Sequence, residues 1–433
     1  MKGSGRAMQN FIKQNSSSFA NLILEKFLRY VAVDTQSKED SNTYPSTEKQ
    51  LDLAKILFAE LKVLGIKNVT LNNYGYVIAS IPSNLPQEKA SKASAIAFIA
   101  HLDTSPAVSG MNVRPQIIKN YQGGNITLSG DKSIVISPEE SKGLKLCLGH
   151  DIVTSDGTTL LGADDKAGIA IIMAMAELFT KNPTIPHSEI KIVFTPDEEV
   201  GAGTKFFDTK NFGTKFAYTI DGEHAPIINK ETFSADTAIV TVYGKDIHPG
   251  SAKNIMVNSV RVISDIIKKL PKEIAPETTE NYEPYLHPYI LEGNVAKSTI
   301  KILLRDFKTE GLAHLKKIIE KIITEVQATY PKTKIELEVV EGYRNMHDDL
   351  EKDPRITDYL EKAVAKTGLK PEWKPIRGGT DGSKLTAEGI LTPNIFTGGD
   401  NFHSKTEWVS VQGMQKSLET VLYLIEIWTE TPK

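Results

Sequence analysis

Short runs rich in Ile, Val, Phe and Ala alternate with helical periodicities along most of the chain, and the alternation breaks once, near residue 225. Tyr76–Ile81, Ala95–Ala100, Glu189–Thr195 and Phe216–Ile220 have the length and composition of buried strands. Between them, residues 47–64 place Leu53, Leu57, Leu61 and Leu64 at helical spacing before Gly65, and Ala167–Phe179 forms another helical run. Strands separated by helices imply a largely parallel sheet covered on both faces. Past residue 225 the order becomes strand (Ala238–Tyr243), helix (Val257–Leu270), two strands (Tyr289–Val295, Thr299–Arg305), helix (Gly311–Tyr330) and strand (Lys334–Val340). That β-α-β-β-α-β order predicts a ferredoxin-like unit. The first rhythm resumes near residue 345 and ends in a helix, Val411–Trp428. The expected fold class is α/β, a mixed and mostly parallel sheet flanked by helices, with a smaller α+β domain inserted. The expected bounds are 21–224 and 345–433 for the discontinuous larger domain and 225–344 for the insert.

Residues 1–20 are rich in Ser, Asn and Gln and lack the continuous apolar core of a secretory signal, so a flexible leader is expected there. The whole chain, 433 residues, carries 51 basic and 54 acidic side chains, a net charge of -3. That balance argues against a nucleic-acid binder. The longest apolar stretch, Ala167–Ala176, is too short to span a bilayer. Cys147 is the single cysteine, which excludes an intramolecular disulfide and any all-thiolate zinc site. A reducing cytoplasm is the default location, and any metal must be held by His, Asp and Glu.

Four polar features fall where predicted strands end or the following helix begins: His101-Leu-Asp103, Asp164-Asp165-Lys166, Asp197-Glu198-Glu199 and Asp221-Gly222. In open α/β sheets, function collects beyond the carboxyl ends of strands. Each feature alone has an ordinary explanation: a hydrogen-bonded surface pair, an N-cap, solvated charge, a turn. Together they bring several carboxylates and an imidazole to one rim, where mutual repulsion calls for cations. Imidazole and carboxylate suit zinc, with cobalt or manganese as substitutes. In an extended segment His101 and Asp103 project to one face, so the Asp103 carboxylate can accept from the second ring nitrogen. One of the adjacent glutamates can ligate while the other moves a proton, although spacing does not say which.

The ordered motifs His101-Leu-Asp103-Thr-Ser-Pro106, Gly162-Ala-Asp-Asp-Lys-Ala-Gly168, Thr195-Pro-Asp-Glu-Glu-Val-Gly201, His248-Pro-Gly250, Arg377-Gly-Gly-Thr-Asp-Gly382 and Asn401-Phe-His403 resemble one family. It is the two-zinc metallopeptidase family that holds aminoacylases and glutamate carboxypeptidases, and within it the tripeptide aminopeptidases. The resemblance runs from about residue 22 onward. It implies a zinc-exopeptidase fold whose insert acts as a lid and homodimerisation domain. It also implies two Zn2+ per subunit: His101 and Asp221 on one, Glu199 and His403 on the other, Asp164 bridging. Asp103 would orient His101, and Glu198 would be the base acting on a metal-bridging water. His248 would stabilise the oxyanion, while Arg305, Arg377 and Asn294 would contact the substrate.

The implied reaction is hydrolysis of the N-terminal bond of short peptides, most of all tripeptides, with no nucleic-acid or membrane partner. A related amidohydrolase (aminoacylase, dipeptidase or carboxypeptidase) and a catalytically silent binding protein on the same fold are the competing readings. Two places depart from the family pattern. Glu223-His224 follows Asp221-Gly222 in place of a Gly-rich stretch, and Asp400 and Ser404 flank the His403 motif where an aromatic residue and Gly are commoner.

Overall fold

The computed structural model describes residues 4–431, which form two compact units. The larger comprises residues 1–230, 348–374 and 380–433, and the smaller 231–347 with 375–379.

The larger unit is built on a six-stranded sheet in the order Asn68–Leu71, Val77–Ile81, Ile190–Thr195, Ile96–His101, Ala217–Gly222, Asn394–Phe396. The last four strands are parallel and the first two antiparallel, a mixed sheet. Every residue of Ile96–His101 is buried, as expected for a central strand covered on both faces. On one face Ala97, Ile99, Val193 and Ala217 pack with Phe207, Phe212, Leu385 and Ile390. Against the other lies Ala163–Lys181, whose small and aliphatic side chains are buried along almost its whole length. Gly168 permits this close approach, because a Cβ there would collide with the Ile220 carbonyl oxygen. Helices Ser4–Val31 and Val411–Glu430 pack on this helix and on each other.

The segment expected to be a flexible leader is helical from Ser4 within the described residues. Met8, Ile12, Phe19, Ile23 and Phe27 are all buried. Steps of four and seven residues place these side chains on one stripe, and burial of that stripe outweighs the weak helix propensity of the Ser/Asn/Gln background. A second small sheet, Gln116–Ile118, Ile152–Thr154, Trp408–Ser410 and Gly399–Asp400, is made of strands too short to leave a periodicity in the sequence.

The smaller unit has the order β-α-β-β-α-β. Its antiparallel sheet runs Tyr285–Gly293, Lys297–Asp306, Ser234–Tyr243, Lys334–Glu341, with Ser259–Lys269 and Thr309–Thr329 sharing its apolar core. The strand expected at Tyr289–Val295 starts earlier, at Tyr285, and contains Pro288. An edge strand tolerates the missing N–H, and the pairing shifts register between Pro288 and Ile290. Among the described residues no helix is long and apolar enough to cross a membrane.

Candidate metal centre

Strand ends and one helix start deliver the acidic and histidine side chains to a single place in the larger unit. His101 ends its strand, Asp221 lies at the end of the neighbouring parallel strand, and Glu198 and Glu199 follow Thr195. The paired aspartates divide the two roles weighed for them. Asp165 caps the helix, accepting from Gly168 N at 3.2 Å, and its other oxygen accepts from His101 N at 3.1 Å. Asp164, with non-helical backbone angles, is left free to face the imidazoles.

Two groups could each hold a metal ion: His101, Asp164 and Asp221, and Asp164, Glu199 and His403. His101 Nε2 lies 2.8 Å from Asp164 Oδ1 and 3.5 Å from Asp221 Oδ1. His403 Nε2 lies 3.0 Å from Asp164 Oδ2 and 2.8 Å from Glu199 Oε2. Asp164 thus presents one oxygen to each histidine. Glu199 Oε1 is buried without a hydrogen-bond partner, an arrangement that a cation would relieve. The nitrogen and oxygen donors match borderline divalent metals.

Asp103, expected to orient the His101 ring, also engages two backbone amides. It is fully buried; its Oδ1 accepts from Glu198 N at 3.0 Å and its Oδ2 from Glu199 N at 3.2 Å. The shorter partner of His101 Nδ1 is the Asp103 backbone oxygen at 2.9 Å, with the carboxylate at 3.4 Å. The expected carboxylate–imidazole contact is therefore the longer of two, because the carboxylate is already taken by two amides.

The electrostatics report crowding. Burial pushes the Glu199 carboxyl up to about 8 with Asp164 adding, and Asp221 up to about 7 with Asp164 adding and His101 opposing. Glu198 is raised well above the carboxylate range by burial and, against His101, by Asp221, Asp381 and Glu199. Burial works against charge on Asp164 and His403 as well. Hydrogen bonds from His101 and His403 nevertheless hold Asp164 below the usual range, and Asp164 and Glu199 lift His403 to about 11. Divalent cations would neutralise this crowding of carboxylates. Glu198 makes no side-chain hydrogen bond or ion pair among the described residues. A cleft of about 660 Å³ reaches Glu199 and His403, with Gln36, Lys38 and Ser105 also on its wall.

Sequence reasoning did not single out several supporting residues. Ser46 and Gln50 are two of them: Asp197, at a left-handed φ of 58°, accepts from Ser46 N, Ser46 Oγ and Gln50 Nε2, fixing the turn that presents Glu198. Buried Asp381 accepts from Thr195 Oγ1 at 2.8 Å. Glu407 accepts three backbone amides on the Asp164 loop. The two departures from the family pattern meet: His224 Nδ1 is 3.2 Å from Asp400 Oδ2.

The remaining predicted residues lie in the smaller unit. His248 Nδ1 accepts from Gly250 N at 3.1 Å. Arg377 donates to Asn281 O, Glu283 O and Thr279 Oγ1 and covers the Phe233 ring. Asn294 Oδ1 caps its own turn, accepting from Ala296 N and Lys297 N. Arg305 Nη1 donates to Asp236 O and Leu304 O.

Comparison with known proteins agrees with the motif order. The model of peptidase family M20/M25/M40 matches residues 153–427. A peptidase T of Clostridium acetobutylicum is 43% identical over 408 residues, covering 94% of this chain and 99% of the relative. The crystal structure of aminopeptidase PepT from Bacillus cereus superposes with a TM-score of 0.72 at 21% identity, covering 95% of this chain and 99% of that one. A Bacillus subtilis protein described as a dinuclear metal-binding peptidase of the M20 family shares the fold, with a TM-score of 0.63 at 13% identity, covering 96% and 99%. The chain is a peptidase and belongs to family M20/M25/M40.

Proposed function

We propose that this enzyme is a two-metal aminopeptidase that removes the N-terminal residue of short peptides, tripeptides above all. The observation that carries the proposal is a pair of three-residue candidate ligand groups sharing Asp164, with the Glu198 carboxyl outside both groups but within electrostatic reach of His101, Asp221 and Glu199. The curated relatives named peptidase T support the tripeptide preference. His101, Asp164 and Asp221 would hold one ion and Asp164, Glu199 and His403 the other, with zinc as the metal and cobalt or manganese as substitutes. Bound there, such ions supply Lewis acidity to the scissile carbonyl and lower the pKa of water toward 7.

The chain's own groups do the rest. Glu198, its proton affinity raised by burial and neighbouring carboxylates, takes a proton from the attacking water as the new C–O bond forms. It returns that proton to the amine nitrogen as the C–N bond breaks. Asp103 holds the two glutamate amides, and so the spacing of base and ligand. The oxyanion role of His248 needs a ring N–H free to donate. Because its Nδ1 accepts from Gly250 N, the neutral ring carries its proton on Nε2, as that role requires. Of the three residues proposed to contact substrate, Arg305 is the one whose Nε and Nη2 carry no hydrogen bond among the described residues. Dimerisation through the smaller unit belongs to the same proposal, since its outer strands Tyr285–Gly293 and Lys334–Glu341 are open sheet edges.

The test is a rate profile over di-, tri- and tetrapeptides and N-acylated tripeptides, with metal content measured on the same sample. Release of the free N-terminal amino acid, fastest from tripeptides, is expected. Preference for N-acyl substrates would refute the aminopeptidase assignment. Sedimentation of the intact protein tests the dimer.

A further inference from the structure

Glu407 has no place in the chemistry just described, yet it is 1% exposed and its carboxylate is fully engaged. Oε2 accepts from Leu161 N and Gly162 N, both at 2.8 Å, and Oε1 accepts from Asp164 N at 3.0 Å. These amides belong to the turn that enters the helix Ala163–Lys181 and carries Asp164. Glu407 itself stands four residues after His403, in the loop leading to the strand Trp408–Ser410. One side chain therefore joins the backbone bearing Asp164 to the loop bearing His403. The other group is framed differently, since His101 and Asp221 come from adjacent parallel strands of the central sheet.

We infer that Glu407 is a positioning residue that sets the distance between Asp164 and His403, and so the fit of the second metal group. This rests on the two-metal reading above. Three amide donors converging on one carboxylate give the clamp its direction. A glutamine in its place offers one acceptor oxygen and turns an NH2 toward at least one amide N–H, so the turn and the His403 loop must separate. In the His101–Asp164–Asp221 group only the shared Asp164 lies on that turn, and His101 and Asp221 keep their strand frame, so this group is disturbed less.

The test is a zinc and cobalt titration of the metal-free full-length protein, wild type against Glu407→Gln, by calorimetry and by cobalt absorption. The wild type is expected to take up two ions. In the variant one site should keep its affinity to within about threefold while the other weakens about 10- to 100-fold, the size expected when the outer hydrogen bonds of metal ligands are lost. Two sites of wild-type affinity in the variant, or equal weakening of both, would overturn the inference. A wild type that binds fewer than two ions would overturn the two-metal reading instead, and the clamp with it. If the glutamine variant does not fold, Glu407→Asp, which keeps the charge on a shorter arm, is judged by the same criterion.

Discussion

Asp103→Asn is the sharpest probe of how the centre is held. The substitution conserves shape and is fully buried, so its effect is confined to hydrogen bonding. In the native protein the carboxylate accepts two amides, at 3.0 Å from Glu198 N and 3.2 Å from Glu199 N. Asparagine keeps one acceptor and sets an NH2 against the other amide, leaving a buried donor unsatisfied at a cost of about 1–3 kcal/mol. If that energy appears as displacement of the glutamates, turnover falls about 10- to 100-fold, since 1.4 kcal/mol is a factor of ten. His101 keeps its shorter contact to the Asp103 backbone oxygen at 2.9 Å, which the substitution leaves in place. The group containing Glu199 should therefore lose more metal affinity than the group containing His101. Steady-state kinetics on a tripeptide, paired with metal titration, separate these effects. Turnover within about twofold of wild type would refute the reasoning, and selective loss of the His101 group would show that ring orientation is the carboxylate's main task.

Three other perturbations test neighbouring links. Glu198→Gln should retain its metals and lose about 10²- to 10⁴-fold in kcat, the range for removing a general base, and near-normal turnover would exclude Glu198 from that role. Gly168→Ala should lower stability by about 1–3 kcal/mol or more, because the new Cβ meets the Ile220 carbonyl and Asp165, and a denaturation midpoint equal to wild type would contradict the packing. Deleting residues 1–20 removes the buried side chains of Met8, Ile12 and Phe19, worth roughly 4–9 kcal/mol by burial alone, so an unchanged melting temperature would mean that this part of the helix does not pack as described.

The parts of the centre that sequence made legible are those tied to regular elements. His101, Glu198, Glu199 and Asp221 follow apolar strands, and strand ends converge whatever the intervening sequence. His403 lacks such a marker. It sits in a loop at a left-handed φ of 60°, and only the family motif pointed to it. Glu407 was invisible for another reason: its partners are amides some 245 residues away, which have no side-chain signature. A glutamate four residues after a candidate ligand was the single available hint. The N-terminal helix shows composition misleading where spacing would have helped, for Ser and Asn dominate the average while Met8, Ile12, Phe19, Ile23 and Phe27 define the buried stripe. Arg377 was legible only through its family motif, since its observed partners, Asn281 O, Glu283 O and Thr279 Oγ1, lie 94 to 98 residues earlier and leave no local pattern.

The inserted unit also has a temporal consequence. Residues 231–347 lie in the chain between Asp221 and His403, so on the ribosome the first candidate ligands emerge well before the last. During that interval the strand Ala217–Gly222 is a sheet edge waiting for Asn394–Phe396 to pair beside it. The smaller unit draws its four-stranded sheet from residues 234–341 and can close its own core meanwhile. The two candidate metal groups can therefore be complete only once the polypeptide has passed through the insert and back to His403.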